Sequence, residues 1–126
     1  MHYKMRDQIR FKIGKEEKNI QEKWIEISEG TEHIQMMIEM PEEFRYMAFL
    51  FLEDPKKEIR FQKLLGYGQQ NPGIGKSTKD TTIGGVPGEI YPGTWKIGIG
   101  IFTEYVAQKL GEQTGEIVLT VSDRKD

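Results

Sequence analysis

The chain contains no cysteine. That excludes disulfide staples, thiolate metal sites and cysteine nucleophiles. Histidine is nearly absent: His2 and His33 are the two in 126 residues, whereas a catalytic zinc site usually draws on three convergent protein ligands. No charge of one sign dominates. Eighteen basic residues nearly balance twenty acidic ones, for a net charge of -2, which gives no electrostatic footprint for nucleic acid or an anionic membrane. Long apolar runs are missing too. No stretch approaches the ~20 residues of a membrane span, and Met1 to Phe11 is polar and mixed in charge, without the apolar run of a signal peptide. These absences set the expectation of a cytoplasmic protein without metal or cofactor. The length is that of one domain, residues 1–126, large enough to bury a core unaided.

What is present is period-two alternation. Ile9, Phe11 and Ile13 alternate with Arg10 and Lys12, ending at Gly14. In the segment Ile20 to Ser28, Ile25 and Ile27 share one face while Trp24 and Glu26 share the other. Ile34, Met36, Ile38 and Met40 alternate with Gln35, Met37 and Glu39, until Pro41 stops the strand because proline cannot donate to a ladder. Met47 to Leu52 is apolar throughout and reads as a strand covered on both faces. Ile59 to Leu65 reads as a weaker strand and a candidate free edge, Gly66 to Gly75 as a loop, and Asp80 to Ile83 as a short edge strand. Thr94 to Phe102 and Glu116 to Ser122 complete the set. A helix is expected at Thr103 to Leu110, with Thr103 as N-cap and Gly111 just past its end. Many short strands with turn signals between them predict an all-β fold: a single antiparallel β-sandwich, of jelly-roll form or of the form that the resemblance below implies, with at most one short helix.

Few residues suggest chemistry. Asn71 to Thr78 ends in Gly75-Lys76-Ser77 like a phosphate-binding loop, but Gln70 stands where that pattern needs glycine and no helical period follows. The segment therefore reads as a mobile surface loop. His33, beside Glu32, reads as a solvated residue at a strand edge, and His2 as part of a frayed terminus. The pairs Glu16-Glu17, Glu42-Glu43 and Glu53-Asp54 read as surface charge, and Ser28, Ser77 and Ser122 have no evident histidine partner. Aromatics flank two Gly/Pro-rich loops: Tyr67, Tyr91 and Trp95. Trp95 shares the face of Ile97, Ile99 and Ile101 and is expected in the core. Tyr67 and Tyr91, with Asn71 and Lys76 in the adjoining loop, are the candidate binding residues. The methionines of the third strand could line an apolar groove, or simply pack a core strand.

The twelve residues Gly85-Val86-Pro87-Gly88-Glu89-Ile90-Tyr91-Pro92-Gly93-Thr94-Trp95-Lys96 are the most distinctive in the chain. From Gly85 to Ile97 the chain resembles the small β-sandwich at the N-terminus of CehA/McbA-type metallohydrolases, which precedes a polymerase-and-histidinol-phosphatase (PHP) phosphoesterase domain. The resemblance extends more loosely from Trp24 to Val121. It includes Leu52-Glu53-Asp54-Pro55, the Phe61 to Gly75 region and, most specifically, Gly-x-x-x-Pro-Gly-Thr-Trp from Gly88 to Trp95. Similar turns occur in pre-peptidase C-terminal domains. A PHP active site is built on His-x-His, which this chain lacks, so no catalytic residue carries over. The resemblance implies a non-catalytic accessory module that binds a protein partner or a catalytic domain. The alternative from the residues is a carbohydrate or small-ligand binder using the loops around Tyr67 and Tyr91.

Overall fold

The computed structural model describes residues 3–125, so His2 lies outside the described residues. The strands in chain order are β1 (Lys4–Ile13), β2 (Ile20–Ile27), β3 (His33–Met40), β4 (Ala48–Glu53), β5 (Ile59–Leu64), β6 (Gly68–Gln70), β7 (Gly73–Gly75), β8 (Gly93–Ile101) and β9 (Gly115–Arg124). One helix, α1 (Thr103–Leu110), lies between β8 and β9. The strands form two sheets packed as an all-β sandwich. Sheet A has the order β1-β9-β3, with β6 and β7 both paired to β3; sheet B has the order β2-β8-β4-β5. Every pairing is antiparallel.

The alternation explains the layers. Phe11 and Ile13 from β1, Ile34, Met36 and Ile38 from β3, and Leu119 and Val121 from β9 turn inward from sheet A. Ile25 and Ile27, Leu50 and Leu52, and Trp95, Ile97 and Ile99 meet them from sheet B. These residues form one continuous core. Each of Phe11 and Phe61, fully buried, stabilises the fold by about 1.5–3 kcal/mol relative to exposure. Trp95 is buried as expected, and its indole N–H donates to the Tyr91 carbonyl at 2.7 Å. The methionines of β3 divide as alternation requires, with Met36 and Met40 in the core and Met37 on the outer face.

Several local readings need correction. The Gly66 to Gly75 stretch holds two short strands, because its backbone finds partners on β3 (Gly68 opposite Met40, Gly75 opposite His33). Asp80 to Ile83 is not a strand: Thr78–Asp80 forms a 3-10 turn and Ile83 is 95% exposed. In β4, Phe49 and Phe51 are half-buried, so that strand is covered on its inner face alone. The helix is where the sequence put it, but Phe102 is its N-cap and no side chain caps it. Gly111 follows it at positive φ, as expected of a helix stop.

The segment between β7 and β8 closes one side of the sandwich. Gln62 N–H donates to Gly84 O and Val86 N–H to Arg60 O, which covers the outer edge of β5. Thr82 N–H donates to Gly73 O and Gly88 N–H to Gly75 O, which does the same for β7. The β5 edge is therefore not available for strand pairing. Such coverage is a common way to blunt a sheet edge.

Candidate functional site

The conspicuous Gly85–Trp95 segment is held by a buried ion pair. Arg60 is the extra residue of a bulge: Leu52 pairs with Phe61 and Glu53 with Ile59, leaving Arg60 without a cross-strand partner. A bulge re-aims a side chain, and this one turns the guanidinium inward, 3.3 Å from the Asp54 carboxylate. Arg60 Nε donates to Val86 O and Nη1 to Glu89 O, at 3.1 and 2.7 Å. Its guanidinium also lies 5.4 Å from the centre of the Trp95 ring. The second oxygen of Asp54 accepts the Lys56 and Glu58 backbone N–H groups, shaping the β4–β5 turn. Gly88 has φ +153 and faces Arg60 Nη2, a conformation that L side chains rarely adopt. The Gly-x-x-x-Pro-Gly-Thr-Trp pattern is therefore occupied with fastening a loop.

His33 is buried, at 7% exposure, and not a solvated edge residue. Its strand is internal to sheet A, between β9 and β6/β7. The Asp80 carbonyl, an acceptor, is 2.7 Å from Nε2, so Nε2 donates to it, and Nδ1 shares a 2.7 Å hydrogen bond with the Tyr3 hydroxyl. The ring packs on β7, where a Cβ at Gly73 would lie 2.5 Å from its Cε1. This accounts for the glycines of the phosphate-loop-like segment. Gly73–Gly75 is a buried strand rather than a mobile loop, and its glycines admit an imidazole.

The candidate binding residues do not converge. Tyr67 precedes β6, at the Met40 end of β3, whereas β7 and the Gly88 backbone are at its His33 end. The two ends are roughly 24 Å apart along the strand. Tyr67 is exposed beside a shallow hollow of about 550 Å³ lined by Glu39, Gly68, Gln69, Glu116 and Val118. Tyr91 is half-buried, with Lys56 Nζ 4.2 Å above its ring. Lys76 reaches Glu32 at 2.8 Å and Glu89 at 3.8 Å, tying the β7–β8 loop to the β2–β3 turn. Asn71 is exposed at the step from β6 to β7.

A different surface gathers exposed apolar residues: the outer face of sheet B. Strand register puts Ile20, Gly100, Phe49 and Leu64 in one row across the sheet. The next row is Glu22, Gly98, Phe51 and Gln62, and the third is Trp24, Lys96, Glu53 and Ile59. Trp24 is 61% exposed and Ile20 59%, with Leu64 and Ile59 also exposed. The outward positions of β8 are Thr94, Lys96, Gly98 and Gly100. The two glycines differ. Phe51 lies over Gly98, whose Cβ would sit 1.9 Å from the ring Cζ; a Cβ on Gly100 meets nothing within 4 Å. Gly100 therefore floors an open notch between Ile20 and Phe49. A hollow of about 500 Å³ lined by Asn19, Ile101, Phe102 and Tyr105 continues this surface past Ile20. The sequence showed Trp24 and Glu26 on one face and the Gly98/Gly100 alternation, but only the strand order brings them together.

This difference sets an expected outcome. Gly98→Ala forces Phe51 off its site and lowers stability by about 1–3 kcal/mol. Gly100→Ala leaves stability unchanged or raises it by about 0.5–1 kcal/mol, the usual gain for alanine over glycine within a strand. Urea unfolding of the two variants beside the parent measures both.

The charges on this face are largely paired within it. Lys96 Nζ lies 2.9 Å from Glu22 and 3.7 Å from Glu53. Its hydrogen bond to Glu22 raises its pKa above the ordinary lysine value; burial opposes the shift and Glu53 adds to it. Glu26 accepts a hydrogen bond from the Thr94 hydroxyl. Two carboxylates thus flank one ammonium, and a third, Glu26, is bonded to Thr94.

Among the described residues, no three His, Cys, Asp or Glu side chains are grouped so as to hold a metal ion. No helix among them is long and apolar enough to cross a membrane. No family model and no curated protein matches the chain. Among solved structures it is similar to PliG of Aeromonas hydrophila, a periplasmic lysozyme inhibitor of g-type lysozyme. That likeness has a TM-score of 0.46 and 10% identity, and covers 95% of this chain and 87% of the other.

Proposed function

We propose that this chain is a non-catalytic accessory β-sandwich module whose outer sheet-B face binds a partner protein or domain. The observation that carries the reading is that face: an exposed tryptophan and three exposed aliphatic side chains on one side of one sheet, with a glycine-floored notch between them. Hydrophobic side chains scattered singly over a surface are ordinary, whereas an unbroken apolar row such as Ile20, Gly100, Phe49 and Leu64 is the kind of grouping that marks interaction sites. The resemblance of Gly88 to Trp95 to the sandwich ahead of PHP-type phosphoesterase domains supports the same class of role. It suggests that the partner is a catalytic domain of that type.

Two measurements test the reading. A photo-crosslinking amino acid at position 24 should give a discrete adduct in cells, while the same probe at position 37, on the outer face of sheet A, should not. Equal labelling from both positions, or none from position 24, would count against an interaction surface here. Separately, the purified chain should leave phosphomono- and phosphodiesters intact with any divalent metal. Turnover by the isolated chain would end the non-catalytic reading.

A further inference from the structure

The charge and shape of the outer sheet-B face specify what it holds, and this step rests on the interaction reading above. We infer that its occupant is an extended, basic polypeptide segment with an apolar side chain seated over Gly100 and a lysine or arginine against Trp24 and Glu26. The face is divided along its length. The row Ile20, Gly100, Phe49 and Leu64 carries no charge. The outward register positions around Trp24 hold three carboxylates, Glu22, Glu26 and Glu53, and one cation, Lys96, with Lys23 exposed beside them on the edge strand β2.

A second copy of the chain fits this arrangement poorly. In face-to-face pairing, either the acidic ends oppose each other or each apolar row covers the other copy's carboxylates without supplying a cation. Both are unfavourable, the first by like-charge repulsion and the second by uncompensated desolvation. A partner cation gains from both the carboxylates and the exposed indole, since an ammonium or guanidinium over a tryptophan face is itself attracted.

Geometry adds a spacing. Ile20 and Trp24 are four residues apart on β2, about 13 Å along the strand. An extended segment running along β8 reaches both ends when its apolar and basic side chains are four residues apart and on the same side. The Gly100 notch sets the register, because a side chain there meets no atom of the protein within 4 Å of the missing Cβ.

The test uses two blocked heptapeptides that alternate with threonine. One has leucine at its first and third positions and arginine at its fifth and seventh; the other has glutamate in place of arginine. Two-dimensional amide NMR of the whole chain reports where each binds. The arginine peptide should shift resonances of Ile20, Trp24, Gly98 and Gly100, and the glutamate peptide should not. Gly100→Leu, which places a side chain in the notch from a Cβ that meets nothing within 4 Å, and Trp24→Ala should each weaken binding at least about tenfold. Glu26→Lys should reverse the preference between the peptides. The melting curves of these variants show whether each is folded.

Equal binding of both peptides, or shifts confined to another surface, would overturn the basic-segment assignment. So would shifts at Trp24 from an oligosaccharide panel with none from the arginine peptide; that result would keep the face as a binding surface and replace its occupant by a glycan. Dimerisation in light scattering that Gly100→Leu abolishes would likewise replace the partner by a second copy. No change on this face with any probe, together with no crosslink from position 24, would remove both the assignment and the interaction reading.

Discussion

Replacing Arg60 by methionine lowers the melting temperature by roughly 10–20 °C. The Arg60 and Asp54 side chains are both almost wholly inside the protein, at 3% and 0% exposure. Removing the guanidinium leaves the carboxylate buried with two backbone N–H donors and no countercharge. Breaking one side of such a pair costs about 3–5 kcal/mol. The Val86 and Glu89 carbonyls lose their donor at the same time. The loss is therefore both global and local: thermal unfolding followed by circular dichroism reports the first, and faster tryptic cleavage in the loop, at Lys79, reports the second. A fall of less than a few degrees with unchanged cleavage would show that the loop is held by something else.

Trp95→Ala should be as damaging, at about 3–5 kcal/mol for the cavity left in a closed core. The indole is wholly buried, its N–H bonds Tyr91 O, and its ring lies beside Arg60. Trp95 and Arg60, in contact with each other, thus fasten the same loop at neighbouring carbonyls. Once either is gone the loop is already loosened, so the second substitution costs less than it does alone. The expected coupling in a double-mutant cycle is about 0.5–3 kcal/mol, in the range for residues in contact. Simple additivity of Arg60→Met and Trp95→Ala in chemical denaturation would mean that the loop is not a shared unit.

The strand pattern of this protein was legible wherever an element is amphipathic by itself. Ile9, Phe11 and Ile13, the Ile25/Ile27 pair, the Ile34 to Met40 series and Ile97 to Ile101 all declare their inner faces by alternation. Non-local partners hid the rest. Gly68–Gln70 and Gly73–Gly75 are strands because β3 supplies the ladder, and their own composition signals only turns. His33 is buried because Asp80, forty-seven residues later, closes over it. Nothing in the sequence singles out Arg60, which only the bulge turns inward. Phe49 and Phe51 looked like core residues because an apolar run does not reveal that one side of its sheet has no covering layer. The candidate surface was hidden for a related reason. Trp24 and Gly100 are far apart in sequence, and neither is informative until β2, β8 and β4 are placed side by side.

The position of the last strand has a consequence for how the chain is made. β9 lies between β1 and β3 and pairs with both, with Lys4 opposite Asp123 at one extreme. A nascent chain that has emerged only as far as Ile101 can assemble all four strands of sheet B, but its first strand has no neighbour. Phe11, Ile13, Ile34 and Met36 then wait on the ribosome with their apolar faces unclosed. Completion of sheet A therefore waits for β9, and until that strand arrives those apolar faces are open to other chains.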